Sequence, residues 1–85
     1  MTEGQKQQTR ERIGARVKAL RLMAELSQDE LAERAGLQRT HIGRIEAGRY
    51  AVNIETLEAI AQALGMTVDI IDQRLSGLAP MKLMQ

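Results

Sequence analysis

The stretch Ser27-Gln-Asp-Glu30 constrains the fold of this chain more than any other segment. Ser27 and Glu30 have the spacing of a capping box, in which the serine hydroxyl accepts from the glutamate amide and the glutamate side chain accepts from the serine amide. A helix is therefore predicted to begin after Ser27. Gly36, which can adopt a left-handed conformation, is predicted to end it after about two turns.

A second short helix is predicted from about Arg39 to Ala47, ending at Gly48. Ile42 and Ile45 have a spacing that points both inward. The residues left facing outward are Arg39, Thr40, Gly43 and Arg44. Two short helices joined by a glycine-containing turn form a helix-turn-helix, whose second helix can lie in the major groove of DNA.

Longer helices are predicted on both sides of this pair. One starts near Thr9, and another begins after Asn53, a good capping residue, and ends at Gly65. Residues 1–9 are polar without a helical period, so we predict a flexible N-terminal arm. The apolar stripes of the two helices are Ile13, Val17, Leu20 and Ala24, and Ile54, Leu57, Ile60, Ala61 and Leu64.

The segment 67–72 leaves two interpretations open. Its β-branched residues favour a strand, which would need a partner from a second chain or from the tail. As a helix, it would have Thr67 as its cap. In either case we expect Val68, Ile70 and Ile71 to contribute to a dimer interface. Residues 73–85 form a tail that is either disordered or docked on a partner or a second subunit.

Composition limits the fold class and the chemistry. With no Phe, no Trp and one Tyr, the core must be aliphatic, which favours helix packing. We predict one all-α domain of four to five helices over residues 10–72, with the C-terminal segment as a short strand in the alternative case. One His, no Cys and no paired acids in an apolar pocket leave no nucleophile and base, so we expect no enzyme, no metal site and no cofactor.

Charge is distributed in blocks along the chain. The formal net charge is only +1, but residues 1–24 carry six basic and two acidic groups, and residues 34–49 carry four and one. If these blocks meet in the fold, they form a patch suited to phosphates. No apolar run has the length of a membrane span and the N-terminus is unlike a signal peptide, so we expect a cytoplasmic protein without membrane contact.

Four segments together resemble the lambda-repressor-like (Cro/cI, or XRE-type) helix-turn-helix family. They are residues 13–21, residues 26–36 with Ser-Gln-Asp-Glu-Leu-Ala, residues 42–48 with Ile-Glu-Ala-Gly, and residues 54–65. The resemblance covers about residues 10–72. It implies a sequence-specific transcriptional regulator, a repressor that binds double-stranded DNA as a homodimer in the cytoplasm, associated with the nucleoid.

The resemblance also implies roles for individual residues. Arg39, Thr40 and Arg44 would read base edges, and Arg21 and Glu46 would form a structural ion pair. Gln28 would bind a phosphate at the start of its helix. Further contacts on the phosphate side are expected from Gln38, His41, Gly43 and Arg49. The chain departs from the family at Gln38, where a Ser or Thr cap is usual, and at Gly43, inside the recognition helix.

A different class of function remains as an alternative. An antitoxin-like or adaptor protein of this fold would act mainly by binding a partner protein, such as a toxin. The feature that favours this alternative is the apolar tail, which contains Leu78, Met81, Leu83 and Met84.

Overall fold

The computed structural model describes residues 1–72, which form four α-helices and a short 3-10 helix. The α-helices are α1 (Glu3–Met23), α2 (Gln28–Ala35), α3 (Arg39–Glu46) and α4 (Ile54–Ala63), and the 3-10 helix is Val68–Ile70. The described residues contain no strand, which confirms the all-α fold class. None of their helices is both long and apolar enough to cross a membrane.

Helix α2 begins and ends as the sequence predicts. The amide of Glu30 donates to the hydroxyl of Ser27 at 3.0 Å, and the amide of Ser27 donates to the Glu30 carboxylate at 2.8 Å. Gly36 follows the helix with a φ of 70°. Helix α4 begins equally clearly, because the Asn53 side chain accepts from the amide of Thr56 at 2.8 Å.

Helix α1 corrects the prediction of an N-terminal arm over residues 1–9. It begins at Glu3, because Thr2 and Gln5 form a second capping box with distances of 3.1 and 2.8 Å. Residues 3–8 have no apolar stripe because they extend past the core into solvent. Polar residues of good helix propensity continue a helix there.

The core lies where the four helices and the 3-10 helix meet. Ile42 and Ile45 of α3 are fully buried, as predicted from their spacing. Of the stripe predicted for α1, Val17 and Leu20 are buried, Ile13 is half-buried and Ala24 is exposed. The remaining core residues are Leu26, Leu31, Ala32, Leu57, Ile60, Ala61, Val68 and Ile71.

The segment 67–72 is not a strand, and this part of the prediction is wrong. Its backbone turns into a 3-10 helix in which the amides of Ile70 and Ile71 donate to the carbonyls of Thr67 and Val68. A lone strand would have left its backbone unpaired, whereas the 3-10 turn pairs these amides internally. The interpretation as a helix is closer, although the Thr67 side chain bonds to Asp69 and makes no cap hydrogen bond.

Burial of this segment also corrects the predicted dimer surface. Val68 and Ile71 are 2% and 3% exposed within a single chain, because the 3-10 turn directs both into the core. They are therefore not available to a second subunit. Ile70 is 39% exposed and is the one predicted interface residue on the surface. The predicted tail, residues 73–85, lies outside the described residues.

Gly14 sets the distance between α1 and α3. A Cβ atom at this position would lie 2.2 Å from the carbonyl oxygen of Ile45 and 2.9 Å from that of Glu46. Backbone therefore approaches backbone where α1 crosses the end of α3. This close contact fixes α3 from behind, on the side opposite its exposed surface.

Candidate nucleic-acid interface

The outer surface of α3 carries the side chains predicted to read DNA. Arg39, Thr40 and Arg44 are all exposed, whereas Ile42 and Ile45 on the opposite side are fully buried. At the helical period, Thr40 and Arg44 lie near the middle of the outer surface and Arg39 lies at the edge next to α2. The two groups divide α3 into a side that packs and a side that faces solvent.

A buried ion pair holds α3 in this orientation. Arg21 of α1 contacts both carboxylate oxygens of Glu46, through Nε at 2.7 Å and Nη2 at 3.0 Å. Its remaining Nη1 donates to the carbonyl of Leu26 at 2.8 Å, just before α2. The predicted pair is thus present, and it joins α1, α3 and the segment that enters α2.

Gln28 belongs to the same hydrogen-bonded group. Its side-chain amide donates to Glu46 Oε1 at 3.1 Å, so the first residue of α2 is linked to the last residue of α3. The sequence predicts a phosphate contact for Gln28, and the structure places its side chain half-buried between the two helices. Gly43 lies beside it, because an added Cβ would be 3.7 Å from Gln28 Oε1.

Arg39 has an acidic neighbour at the start of α2. Its Nε lies 3.5 Å from Asp29 Oδ1, and the two side chains are 62% and 75% exposed. An ion pair this exposed contributes little to stability. It nevertheless directs Arg39 toward the N-terminus of α2, away from the middle of the outer surface.

The residues predicted to face phosphates lie around both ends of α3. Gln38 precedes the helix, is exposed and makes no side-chain cap hydrogen bond, in line with the missing Ser or Thr. Arg49 follows Gly48 and is exposed. His41 is half-buried, and its ring meets that of Tyr50 edge-on with 4.7 Å between centroids. Within the described residues, His41 Nε2 is buried without a hydrogen-bond partner.

Comparison with known proteins identifies this arrangement. A family model described as helix-turn-helix matches residues 17–71. The chain belongs to this family. The resemblance found in the sequence is confirmed, and the chain is a member of a family of DNA-binding regulators.

Individual relatives agree with this family. The sequence is 46% identical over 59 residues to an immunity repressor protein of Bacillus phage phi105. This alignment covers 69% of this chain and 41% of the repressor. It is 39% identical over 59 residues to the control protein C.SmaI of Serratia marcescens, covering 69% of this chain and 70% of that protein. The chain thus spans less than half the length of the phage repressor.

A solved structure has the same fold. The restriction-modification controller protein C.AhdI from Aeromonas hydrophila superposes with a TM-score of 0.73 at 30% sequence identity. The match covers 74% of this chain and 96% of that structure.

Hydrogen bonds shift the pKa of two groups within this helix-turn-helix domain. The bonds to Glu46, opposed in part by burial, raise the pKa of Arg21 above its ordinary value. At the start of α2, the amide and hydroxyl of Ser27 lower the pKa of Glu30 below its ordinary value. Both groups therefore carry their full charge at neutral pH.

Residues that sequence reasoning missed lie where α1 meets the end of α3. The side-chain amide of Gln7 donates to the carbonyl of Gly48 at 3.0 Å, and Tyr50 packs against His41. The spacing of Thr2 and Gln5 matches a capping box and was the available signal for the longer helix. No comparable signal marks Gly14, because its role depends on how two helices cross.

Proposed function

We propose that this chain, a DNA-binding transcriptional regulator of the helix-turn-helix family, is a repressor that reads a specific operator through the outer surface of α3. The observation that carries this proposal is the division of α3 into the buried Ile42 and Ile45 and the exposed Thr40 and Arg44. The relatives named as an immunity repressor and a control protein support the regulatory role. The protein would act in the cytoplasm, on the DNA of the nucleoid.

Arg44 is the principal base-reading residue in this proposal. It is exposed near the middle of the outer surface, and a guanidinium can bind guanine O6 and N7 together, for about 1–3 kcal/mol of discrimination. Thr40 lies beside it and offers a methyl group and a hydroxyl. Arg39, directed toward Asp29, contacts a base or a phosphate at the edge of the groove.

The phosphate contacts would surround this reading surface. Gln28 at the N-terminus of α2 and Arg49 after α3 reach the two ends of the contacted backbone. Gln38 and His41 lie near the DNA backbone, and Gly43 allows it to approach α3 closely. None of these contacts carries sequence information directly, so together they would set the register of α3 in the groove.

A dimer would supply the specificity that one module lacks. One recognition helix contacts few bases, whereas two copies on half-sites about one helical turn apart contact twice as many bases. Ile70 is the exposed member of the interface predicted from the sequence. The other two residues of that predicted interface, Val68 and Ile71, face the core, so a dimer formed there would use only Ile70.

Selection of bound sites from random DNA tests the proposal, because it reports the preferred bases and the half-site spacing together. Arg44→Ala should weaken binding to the selected site by about 1–3 kcal/mol and relax the preference at one base position. Arg34→Ala is the matched control, since Arg34 is an exposed arginine in the last turn of α2. Unchanged affinity and preference after Arg39→Ala combined with Arg44→Ala would refute the assignment of α3.

A further inference from the structure

The first turns of α1 make contacts that the core does not require. Gln7 donates its side-chain amide to the carbonyl of Gly48 at 3.0 Å and to the Glu11 carboxylate at 3.1 Å. Residues 3–10 include none of the twelve buried core residues. A polar helical segment of this kind is marginal alone. Its contact with the C-terminal end of α3 therefore holds it in a defined position.

The contact at Gly48 is close and specific. Gly48 has a φ of 72°, and an added Cβ would lie 2.9 Å from Cγ and 3.0 Å from Cα of Glu11. Helix α1 thus abuts the turn that immediately precedes Arg49 and Tyr50. Residues 3–10 of α1, here called the extension, and the segment 48–52 form one continuous surface beyond the end of α3.

A cavity of about 340 Å³ lies between the extension of α1 and the segment 50–52. Its apolar lining includes Ile13, Ile45 and Val52, which are buried or half-buried, and Met1 and Ala51, which are exposed. Lys6, Thr9, Arg10 and Tyr50 also line it, with Tyr50 40% exposed. The described residues that line this cavity include two basic side chains, those of Lys6 and Arg10, and no carboxylate side chain.

Neither cation is firmly held by another side chain. Lys6 Nζ lies 3.5 Å from Glu3 Oε1, an exposed pair, and Arg10 Nη1 lies 3.5 Å from the side-chain oxygen of Gln7. Both distances are at the limit of a hydrogen bond. The two charges can therefore turn toward an external anion at little cost.

We propose that Lys6 and Arg10, carried on the extended α1, bind the DNA sugar-phosphate backbone next to the bases that α3 reads. The inference rests on the proposed function, because it requires α3 to lie in the groove of the DNA. Tyr50 lines the cavity and its ring contacts that of His41 in α3, so the cavity lies next to the flank of α3. Tyr50 adds a hydroxyl donor on the same rim. Cations fixed on a helix lose less conformational freedom on binding than cations on a disordered arm, so this extension lengthens the DNA footprint beyond the recognition helix.

The test is the salt dependence of binding to the selected operator, measured by fluorescence anisotropy. Each phosphate contact contributes about 0.9 to the slope of log affinity against log salt. Lys6→Gln combined with Arg10→Gln should therefore lower the magnitude of the slope by about 2 for each bound subunit, or about 4 for a dimer on two half-sites, and leave the base preference unchanged. Lys18→Gln combined with Arg34→Gln removes the same charge at exposed positions outside the cavity, and should leave the slope nearly unchanged.

A shortened operator provides a second test of the inference. A duplex that ends at the bases read by α3 lacks the flanking phosphates, so the wild-type slope should fall to that of the double variant. Thermal unfolding checks the fold of the variant. If the double variant unfolds, Lys6→Gln alone should lower the magnitude of the slope by about 1 for each bound subunit.

The outcomes separate this inference from the proposed function. Failure of the wild-type protein to select any DNA sequence would refute both. Sequence-selective wild-type binding with an unchanged slope in the Lys6 and Arg10 variant would refute only the inference. If inorganic phosphate without DNA raises the unfolding temperature of the wild type but not of this variant, and the salt slope on the operator is the same for both proteins, the site binds a free anion and the assignment to DNA is wrong.

Discussion

Replacing Gly14 by alanine adds one methyl group at the point where α1 crosses the end of α3. The new Cβ would lie 2.2 Å from the carbonyl oxygen of Ile45, whereas ordinary contacts begin at 3.4 Å, so the helices must separate by about 1.2 Å. The opposing atoms are backbone and cannot rotate away. The same displacement would stretch the Arg21–Glu46 ion pair, whose shorter contact is 2.7 Å.

The free energy of unfolding should fall by about 2 kcal/mol in Gly14→Ala. Overpacking of this kind costs about 1–3 kcal/mol or more, and the better helix propensity of alanine offsets at most about 1 kcal/mol. For a domain of this size, the loss corresponds to a fall of about 8–16 °C in the unfolding temperature. Differential scanning calorimetry or circular dichroism measures this fall directly.

Gly43→Ala is the matched control, because it is the same substitution inside another helix. Its added Cβ would lie 3.7 Å from Gln28 Oε1, an ordinary contact. The variant should therefore gain about 0.5–1 kcal/mol from helix propensity alone. If Gly14→Ala were as stable as the wild type, or if both variants were stabilised, the close approach of α1 to α3 would be refuted.

Two further predictions concern the polar groups that frame α3. In urea unfolding, Glu46→Leu should lower the free energy of unfolding by about 3–5 kcal/mol, because Arg21 stays buried without its carboxylate partner. Adding Arg21→Met should recover much of this loss. A loss below about 1 kcal/mol in Glu46→Leu would mean that the pair behaves as an exposed surface pair. Since Ser27 lowers the pKa of Glu30 from its ordinary 4.5, ionised Glu30 stabilises the fold above pH 4.5, and this contribution is lost as the pH falls through the lowered pKa. Urea midpoints should therefore fall more steeply with acid in the wild type than in Glu30→Gln, whose amide does not titrate, and parallel profiles would contradict this reasoning.

Features encoded by neighbouring residues could be predicted from the sequence. The Ser27–Glu30 capping box and the stop at Gly36 depend only on local hydrogen bonds and backbone conformation. The inward direction of Ile42 and Ile45 follows from helical spacing. The Arg21–Glu46 pair spans two helices, and it was anticipated only through the resemblance to the family.

Features that depend on tertiary packing were predicted incorrectly or missed. Absence of an apolar stripe in residues 3–8 indicates an exposed surface, which a solvated helix satisfies as well as a flexible arm does, and the structure has the helix. The β-branched residues of the segment 67–72 favour a strand locally, but burial of Val68 and Ile71 in a 3-10 turn overrides that preference. The role of Gly14 arises from contact with distant backbone and carries no local signal, and the sequence marks Gly48 only as a helix end, without its contact with Glu11.

The hydrogen-bonded group around Glu46 has a consequence for how such a protein can change its target. Glu46 anchors α3 through Arg21 and Gln28, and the outermost side chains, Thr40 and Arg44, make no contribution to that anchor. In the proposed mode of binding, substitutions at those outer positions would therefore alter the preferred operator while the scaffold keeps its stability. In evolution or in the laboratory, the proposed reading residues would be exchangeable, and the hydrogen-bonded group behind them would not.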